Sequence, residues 1–187
     1  MKDEDWAVRK MLILALGELD IIQEIQTFID FLGYDIEPEV RAGAAEALGD
    51  LRAEQAIPSL INALDDSADI VRQVSIWSLG LMGEKAKEAV PKILEYLMKP
   101  EDIQIIQISH LAAWALGEIG DKRAIEPLVN ALNIAAYHEK QFNIAYSLAL
   151  LEGPKGFGFT ELQRMKENHE LDNSELELFE KLKMNKS

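Results

Sequence analysis

Two of the three histidines in this chain stand beside a glutamate, His138-Glu139 and His169-Glu170. An imidazole next to a carboxylate can ligate a non-haem iron if several such groups converge and leave open positions. Here the first pair falls in a turn before a helix and the second in a divergent tail, so both are expected to be solvated turn residues. His110 is expected as a lone candidate on the exposed side of a helix. There is no cysteine, which excludes disulfides, thiol catalysis, iron–sulfur clusters and thiolate zinc fingers. The stretch from Gly153 to Phe159, GPKGFGF, lacks the Gly-Lys-Ser/Thr ending and the preceding strand of a phosphate cradle. No catalytic residue, metal or cofactor is expected, and the chain reads as non-enzymatic.

The elements that carry these residues repeat. The phrase VRQVSIWSLG, Val71 to Gly80, recurs as Val8 to Gly17, Val40 to Gly49, Ile108 to Gly117 and, in a degraded copy, Phe142 to Leu151. The closing positions step by 32, 31, 37 and 34 residues, a period that means stacked helix pairs. Offsets 0, +4, +7 and +8 from the first apolar anchor are apolar or small and share one stripe at 100° per residue, which suits burial against neighbouring helices. The closing Gly is expected at a left-handed C′ position. A second apolar helix follows each turn, over Ile21 to Leu32, Ala53 to Leu64, Lys85 to Met98 and Lys122 to Ala136. Pro58, Pro91 and Pro127 fall near the starts of three of them, where a missing N–H costs little.

EVRAGAAEALGDLRAEQAIPSLINAL and AAWALGEIGDKRAIEPLVNAL resemble HEAT repeats, in particular the HEAT-like repeats of phycobilin (PBS) lyase subunits. The resemblance runs from about Asp5 to Leu151. In that pattern an Arg follows the anchor, as Arg9, Arg41 and Arg72 do, whereas the later copies carry Ser109 and Asn143. It implies an all-α fold: a right-handed α-α superhelix, or HEAT-like solenoid, of about five helix pairs. His138-Glu139 with the downstream IAYSLAL is also similar to deoxyhypusine hydroxylase, a HEAT-repeat enzyme that binds iron through facing His-Glu pairs, but the register of the pairs here does not fit such a site.

In HEAT-like proteins the second helix of each pair lines the concave side, so the resemblance implies a groove along offsets +3, +6 and +10. Those columns hold Met11, Leu14 and Glu18; Gly43, Glu46 and Asp50; Val74, Trp77 and Leu81; Leu111, Trp114 and Glu118; Ala145, Leu148 and Glu152. Two Trp share one column, and aromatic side chains are favoured interface anchors. The expected site is therefore a protein-binding groove of Met11, Leu14, Val74, Trp77, Leu81, Leu111, Trp114 and Leu148, in which Glu18, Asp50, Glu118 and Glu152 steer a peptide or protein that is amphipathic or basic. The same residues also suit plain packing between copies, or a homodimer whose two grooves cover each other. The resemblance implies a further alternative, an accessory subunit of a bilin lyase-type activity on phycobiliproteins.

A formal charge of −14, from 33 acids against 19 bases, argues against nucleic acid and against an anionic membrane surface. No apolar run reaches the roughly 18 to 20 residues of a membrane-spanning helix, and Asp3, Glu4 and Asp5 sit where a signal peptide needs positive charge; a cytoplasmic protein is expected. Pro154 and its glycines end the regular array, giving a repeat array over 1–153 and C-terminal capping helices with a frayed tail over 154–187, in one compact unit. The cap is expected to hold helices over Phe159 to Asn168 and Ser174 to Met184, the second opened by Asp172-Asn173-Ser174, with Phe157 and Phe159 plugging the last repeat.

Overall fold

The computed structural model describes residues 6–18, 24–98, 106–135 and 137–184, without the side chains of Leu14, Gly17, Glu18, Ile106 and Gln107. The acidic run Asp3 to Asp5, the start of the second helix at Ile21, and Ala136 lie outside the described residues. Every described element is helical: α1 (Trp6–Glu18), α2 (Ile25–Tyr34), α3 (Pro38–Asp50), α4 (Ile57–Ala63), α5 (Asp69–Leu81), α6 (Val90–Leu97), α7 (Ile106–Ile119), α8 (Ile125–Ile134), α9 (His138–Glu152), α10 (Phe157–Glu167) and α11 (Asn173–Met184). The fold is an all-α solenoid of repeated helix pairs. The chain divides into two compact units, 1–92 and 93–187, with the division inside α6.

The anchor phrase forms α1, α3, α5, α7 and α9, which we call B helices; α2, α4, α6 and α8 are A helices. Within the first unit α2 packs on α3 and α4 on α5, while α1, α3 and α5 pack in series; within the second, α8 packs on α9 and α7 on α9. Short 3-10 turns lead into α4, α6 and α8, and Pro58 and Pro91 occupy their helices' second positions, where the missing donor has no intrahelical acceptor to lose.

The closing glycines have a different role from the one their sequence position suggests. Gly49, Gly80 and Gly117 lie inside their helices, and the left-handed backbone comes three residues later, at Arg52, Gly83 and Gly120. What Gly49 provides is close approach. A Cβ there would come within 2.5 Å of the Ser78 Oγ, and one at Gly117 within 2.7 Å of the Ser147 Oγ. Each of those hydroxyls donates to a carbonyl of the preceding B helix, Ser78 to Ala45 at 2.8 Å and Ser147 to Ala113 at 2.7 Å. Small residues thus let two backbones meet, and the hydroxyl makes the contact directional.

An Arg–Asp ladder ties the turns. Arg9 makes paired bonds to Asp35 at 2.9 and 3.0 Å, and Arg41 to Asp66 at 2.7 and 2.8 Å. Each Asp also accepts a backbone N–H of its own turn, from Glu37 or Ala68. Arg41 and Arg72 donate to the carbonyls of Asp35 and Asp66, six residues back. Burial pushes the Asp35 and Asp66 carboxyls up, but the Arg9 and Arg41 guanidiniums and those N–H groups outweigh it and hold both below the usual 3.8.

This ladder corrects the register of the fifth copy. Gln141, which lies in α9 where Arg41 and Arg72 lie in α3 and α5, donates at 2.8 Å to the carbonyl of Ala135, again six residues back, and Ser147 plays the part of Ser78. The fifth copy therefore starts at Lys140, two residues before Phe142, and closes at Ala149. Aligned this way, AYSLAL of α9 sits under IWSLGL of α5.

Candidate functional site

A B helix in this stack has four sides. Offset +7 meets the preceding B helix and offsets +5 and +9 meet the following one, as Ser78, Ala45 and Gly49 show. At 100° per residue, offsets +3, +6 and +10 fall on a separate side, and +4 and +8 on the side opposite them, left for the A helix. The +3, +6 and +10 side is what remains accessible. From Gln73 onward α5 reaches solvent only through Gln73, Val74, Trp77 and Leu81, and from Ile108 onward α7 does so only through Leu111, Trp114 and Glu118.

In the corrected register the fifth copy places Asn143, Tyr146 and Leu150 in these columns, all half-buried. Tyr146 joins Trp77 and Trp114 as a third aromatic in the +6 column. The aromatic-Ser-Leu-small phrase shared by WSLG and YSLA was the signal for it in the sequence. Leu148, expected in the groove, is fully buried, because in this register it falls at offset +8, on the interior side. Gly158 of α10 lies close against it: a Cβ on Gly158 would come 2.4 Å from the Leu148 Cβ and 2.5 Å from the Ala145 carbonyl. Glu152 likewise serves the chain itself, accepting the N–H of Gly158 at 3.0 Å.

The remaining positions can be placed one by one. Met11 is 71% exposed on α1, and Leu14 and Glu18 lie beyond the described side chains. Gly43 is buried with the Lys10 stem against it, Glu46 is half-buried and Asp50 is exposed at the end of α3. Val74, Trp77 and Leu81 belong to the first unit, and Leu111, Trp114 and Glu118 to the second, so each group is taken with its own neighbours. Partial burial raises the carboxyls of Asp50 and Glu118 above their ordinary values. The Tyr146 phenol is raised by burial and by the nearby Glu118 charge, against the pull of Lys181.

The C-terminal helices flank this side of α9. Phe142, Ala145 and Ala149 of α9 share a core with Leu162 and Met165 of α10 and Phe179 and Leu182 of α11, against which Tyr146 and Leu150 pack in part. Tyr146 stacks on Phe142 at 6.0 Å. Phe159 meets Phe179 at 5.2 Å, whereas Phe157, expected to plug the repeat, is exposed; the plug is Gly158 and the helix it admits. Asp172 accepts the Glu175 N–H and its own N–H bonds the Glu175 carboxylate, both at 2.9 Å, which is a capping box. Among the described residues no group of three or more His, Asp or Glu is placed to hold a metal ion. His138 bonds Glu175 at 3.1 Å, His169 is an exposed turn residue with positive φ, and His110, expected on an exposed side, is buried with its Nδ1 3.5 Å from the Glu139 carboxylate.

The HEAT repeats family matches residues 1–80 and 25–109, and the PBS lyase HEAT-like repeat matches residues 110–133. No curated protein matches the chain. A similar solved structure is that of the complex of CpcE and CpcF of phycocyanin lyase from Nostoc sp. PCC7120, with a TM-score of 0.69, 21% identity, and coverage of 88% of this chain. The chain spans 65% of that chain's length. At this identity the likeness is one of fold. With its stacked A and B helices and family matches that run together from residue 1 to residue 133, the chain belongs to the HEAT-repeat family.

Proposed function

We propose that this protein is a non-enzymatic interaction module whose B-helix columns dock an amphipathic or basic segment of a protein partner. The observation that carries this reading is the composition of the accessible side of α5 and α7. Where a surface helix would ordinarily turn polar residues to water, these offer Val74, Trp77 and Leu81, and Leu111 and Trp114. Large half-exposed aromatics are interface anchors more than solubility devices. Glu118, and Asp50 in the first unit, supply carboxylates that favour a Lys or Arg on the partner, and the excess of acids draws such a partner in.

The test is titration of a Leu/Lys amphipathic helical peptide into a Trp6→Phe protein, followed by tryptophan emission. Binding should shift the emission, and Trp77→Ala or Trp114→Ala should each weaken it by about tenfold or more while helicity stays unchanged. Equal affinity in all variants would overturn the reading. Elution that depends on concentration and is normalised by the same variants would point to a homodimer instead.

A second reading, an accessory role in a bilin lyase-type activity on phycobiliproteins, is favoured by one observation: the PBS lyase HEAT-like match over 110–133 contains Leu111, Trp114 and Glu118. In that case the aromatic side would hold the tetrapyrrole. Protein co-expressed with a bilin pathway and a phycobiliprotein should then yield visible absorbance that Trp114→Ala removes. Colourless protein under those conditions would exclude it.

A further inference from the structure

In the second unit the chain itself supplies a helix of the kind the column is proposed to take. α11 has apolar residues at every third position, Leu176, Phe179 and Leu182, and carries Lys181 and Lys183 in its last turn. Spacing of three keeps those apolar side chains on one face of a helix. That face is turned to α9: Phe179 and Leu182 are buried in one core with Phe142, and Leu176 packs against it in part. The same core borders the accessible side of α9, because Tyr146 and Leu150, at offsets +6 and +10, also pack against it. Lys181 completes the likeness. It lies within electrostatic reach of the Tyr146 phenol, which the Glu118 carboxylate reaches as well. An amphipathic, lysine-bearing helix therefore stands beside the aromatic of the last column.

The hold on α11 is of a releasable kind. α10 meets α9 by close backbone approach at Gly158, whereas α11 is fastened by side chains. Phe179 and Leu182 are its buried anchors. Its polar ties include two partly exposed pairs, His138 with Glu175 at 3.1 Å and Lys166 with Glu180 at 2.6 Å, and pairs open to water hold weakly. A helix of 12 residues is also too short to persist without support, so its order depends on that seat. We infer that α11 is an autoinhibitory helix: docked, it holds the α9 end of the column, and a partner helix that runs from Trp114 onto Tyr146 and Leu150 has to displace it. α10 stays in place, and the turn between α10 and α11 is the hinge. The inference rests on the function proposed above for what docks, and adds how access to that site is controlled. A seat that is free about a tenth of the time lowers a competitor's apparent affinity about tenfold.

The test uses the whole protein and a Leu/Lys amphipathic helical peptide. Phe179→Ser with Leu182→Ser removes both buried anchors of α11 and leaves the column residues untouched. Amide exchange across 173–184 should then be fast while 138–152 and 157–167 keep their protection, and the peptide should bind about tenfold more tightly than it binds the parent. A peptide with the sequence of residues 172–184, DNSELELFEKLKM, should compete for the released variant. The parent offers a measurement that needs no substitution: saturating Leu/Lys peptide should itself speed exchange across 173–184. Equal affinity for parent and released variant overturns the inference, as does a peptide-bound parent whose 173–184 amides stay as protected as before. If Trp114→Ala still weakens binding in those cases, the column remains the site and only the regulation falls. Binding that ignores Trp114→Ala in the released variant, or no binding to either form, overturns both.

Discussion

Asp66 occupies a small amount of chain and holds two turns. Its carboxylate accepts from Nε and Nη2 of Arg41 and from the N–H of Ala68, with the Arg41 and Asp66 side chains only 12% and 13% exposed. Asp66→Asn removes the charge and leaves Arg41 with a poor partner in a largely desolvated place. A loss of about 2 to 4 kcal/mol is expected in urea unfolding. The same pair sets a pH dependence. Because the folded-state pKa of Asp35 and Asp66 is depressed, their stabilisation is fully present above the ordinary value of 3.8 and is lost as pH falls through the lower folded values. Thermal midpoints should therefore drop steeply below about pH 4, and the Asp66→Asn protein should show a shallower drop. Tyr146 gives a separate readout. Its phenol should ionise above 10 in an ultraviolet titration, and Glu118→Gln should bring it part of the way back, since burial remains the larger cause.

At the scale of the helix, the B-to-B contact depends on small residues more than on hydrophobic mass. Gly49 and Ser78, and Gly117 and Ser147, bring backbone against backbone, with the Ser Cα only 2.8 Å from where a Cβ would stand. A methyl group there has no flexible side-chain end to displace. Gly49→Ala should cost about 1 to 3 kcal/mol by overpacking, even though Ala is the better helix former by about 1 kcal/mol, and equilibrium unfolding measures the balance. Gly158 does the same for α10 on α9. Gly158→Leu should release α10 and α11 from the array, seen as early amide exchange across 157–184 while α7 to α9 keep their protection. The positions of these glycines were plain in the sequence, but their purpose was not. A Gly near the end of a helical phrase reads as a C′ residue, and only the arrival of the next helix shows that it sits in an interior turn.

At the scale of the whole molecule, the repeat makes each helix a test of its neighbours. The order of A and B helices, the proline-led A helices, the two C-terminal helices and the all-α solenoid were legible in the chain, because a 100° apolar period recurring every 31 to 37 residues has few physical solutions. The same period marks Trp77 and Trp114 with Val74, Leu81 and Leu111 as a candidate column, and each of them is half-buried on its helix. The fifth copy was misplaced by two residues because Phe142 is a better apolar anchor than Lys140. Matching AYSLAL to IWSLGL, in place of anchor to anchor, recovers Tyr146 and removes Leu148.

What the sequence determined by itself is therefore periodic: helix phase, repeat length and chain order follow from where apolar and small residues recur, since burial acts on each helix in the same way. What the tertiary structure decided is relational. Which Gly admits a neighbour, which residue takes the place of a missing Arg, and that α10 covers Leu148 all depend on what lies across a gap from a residue. For Gly49 and Gly117 that neighbour is about thirty positions away along the chain. A pattern along one chain specifies the face a helix will bury; the stack settles what it is buried against.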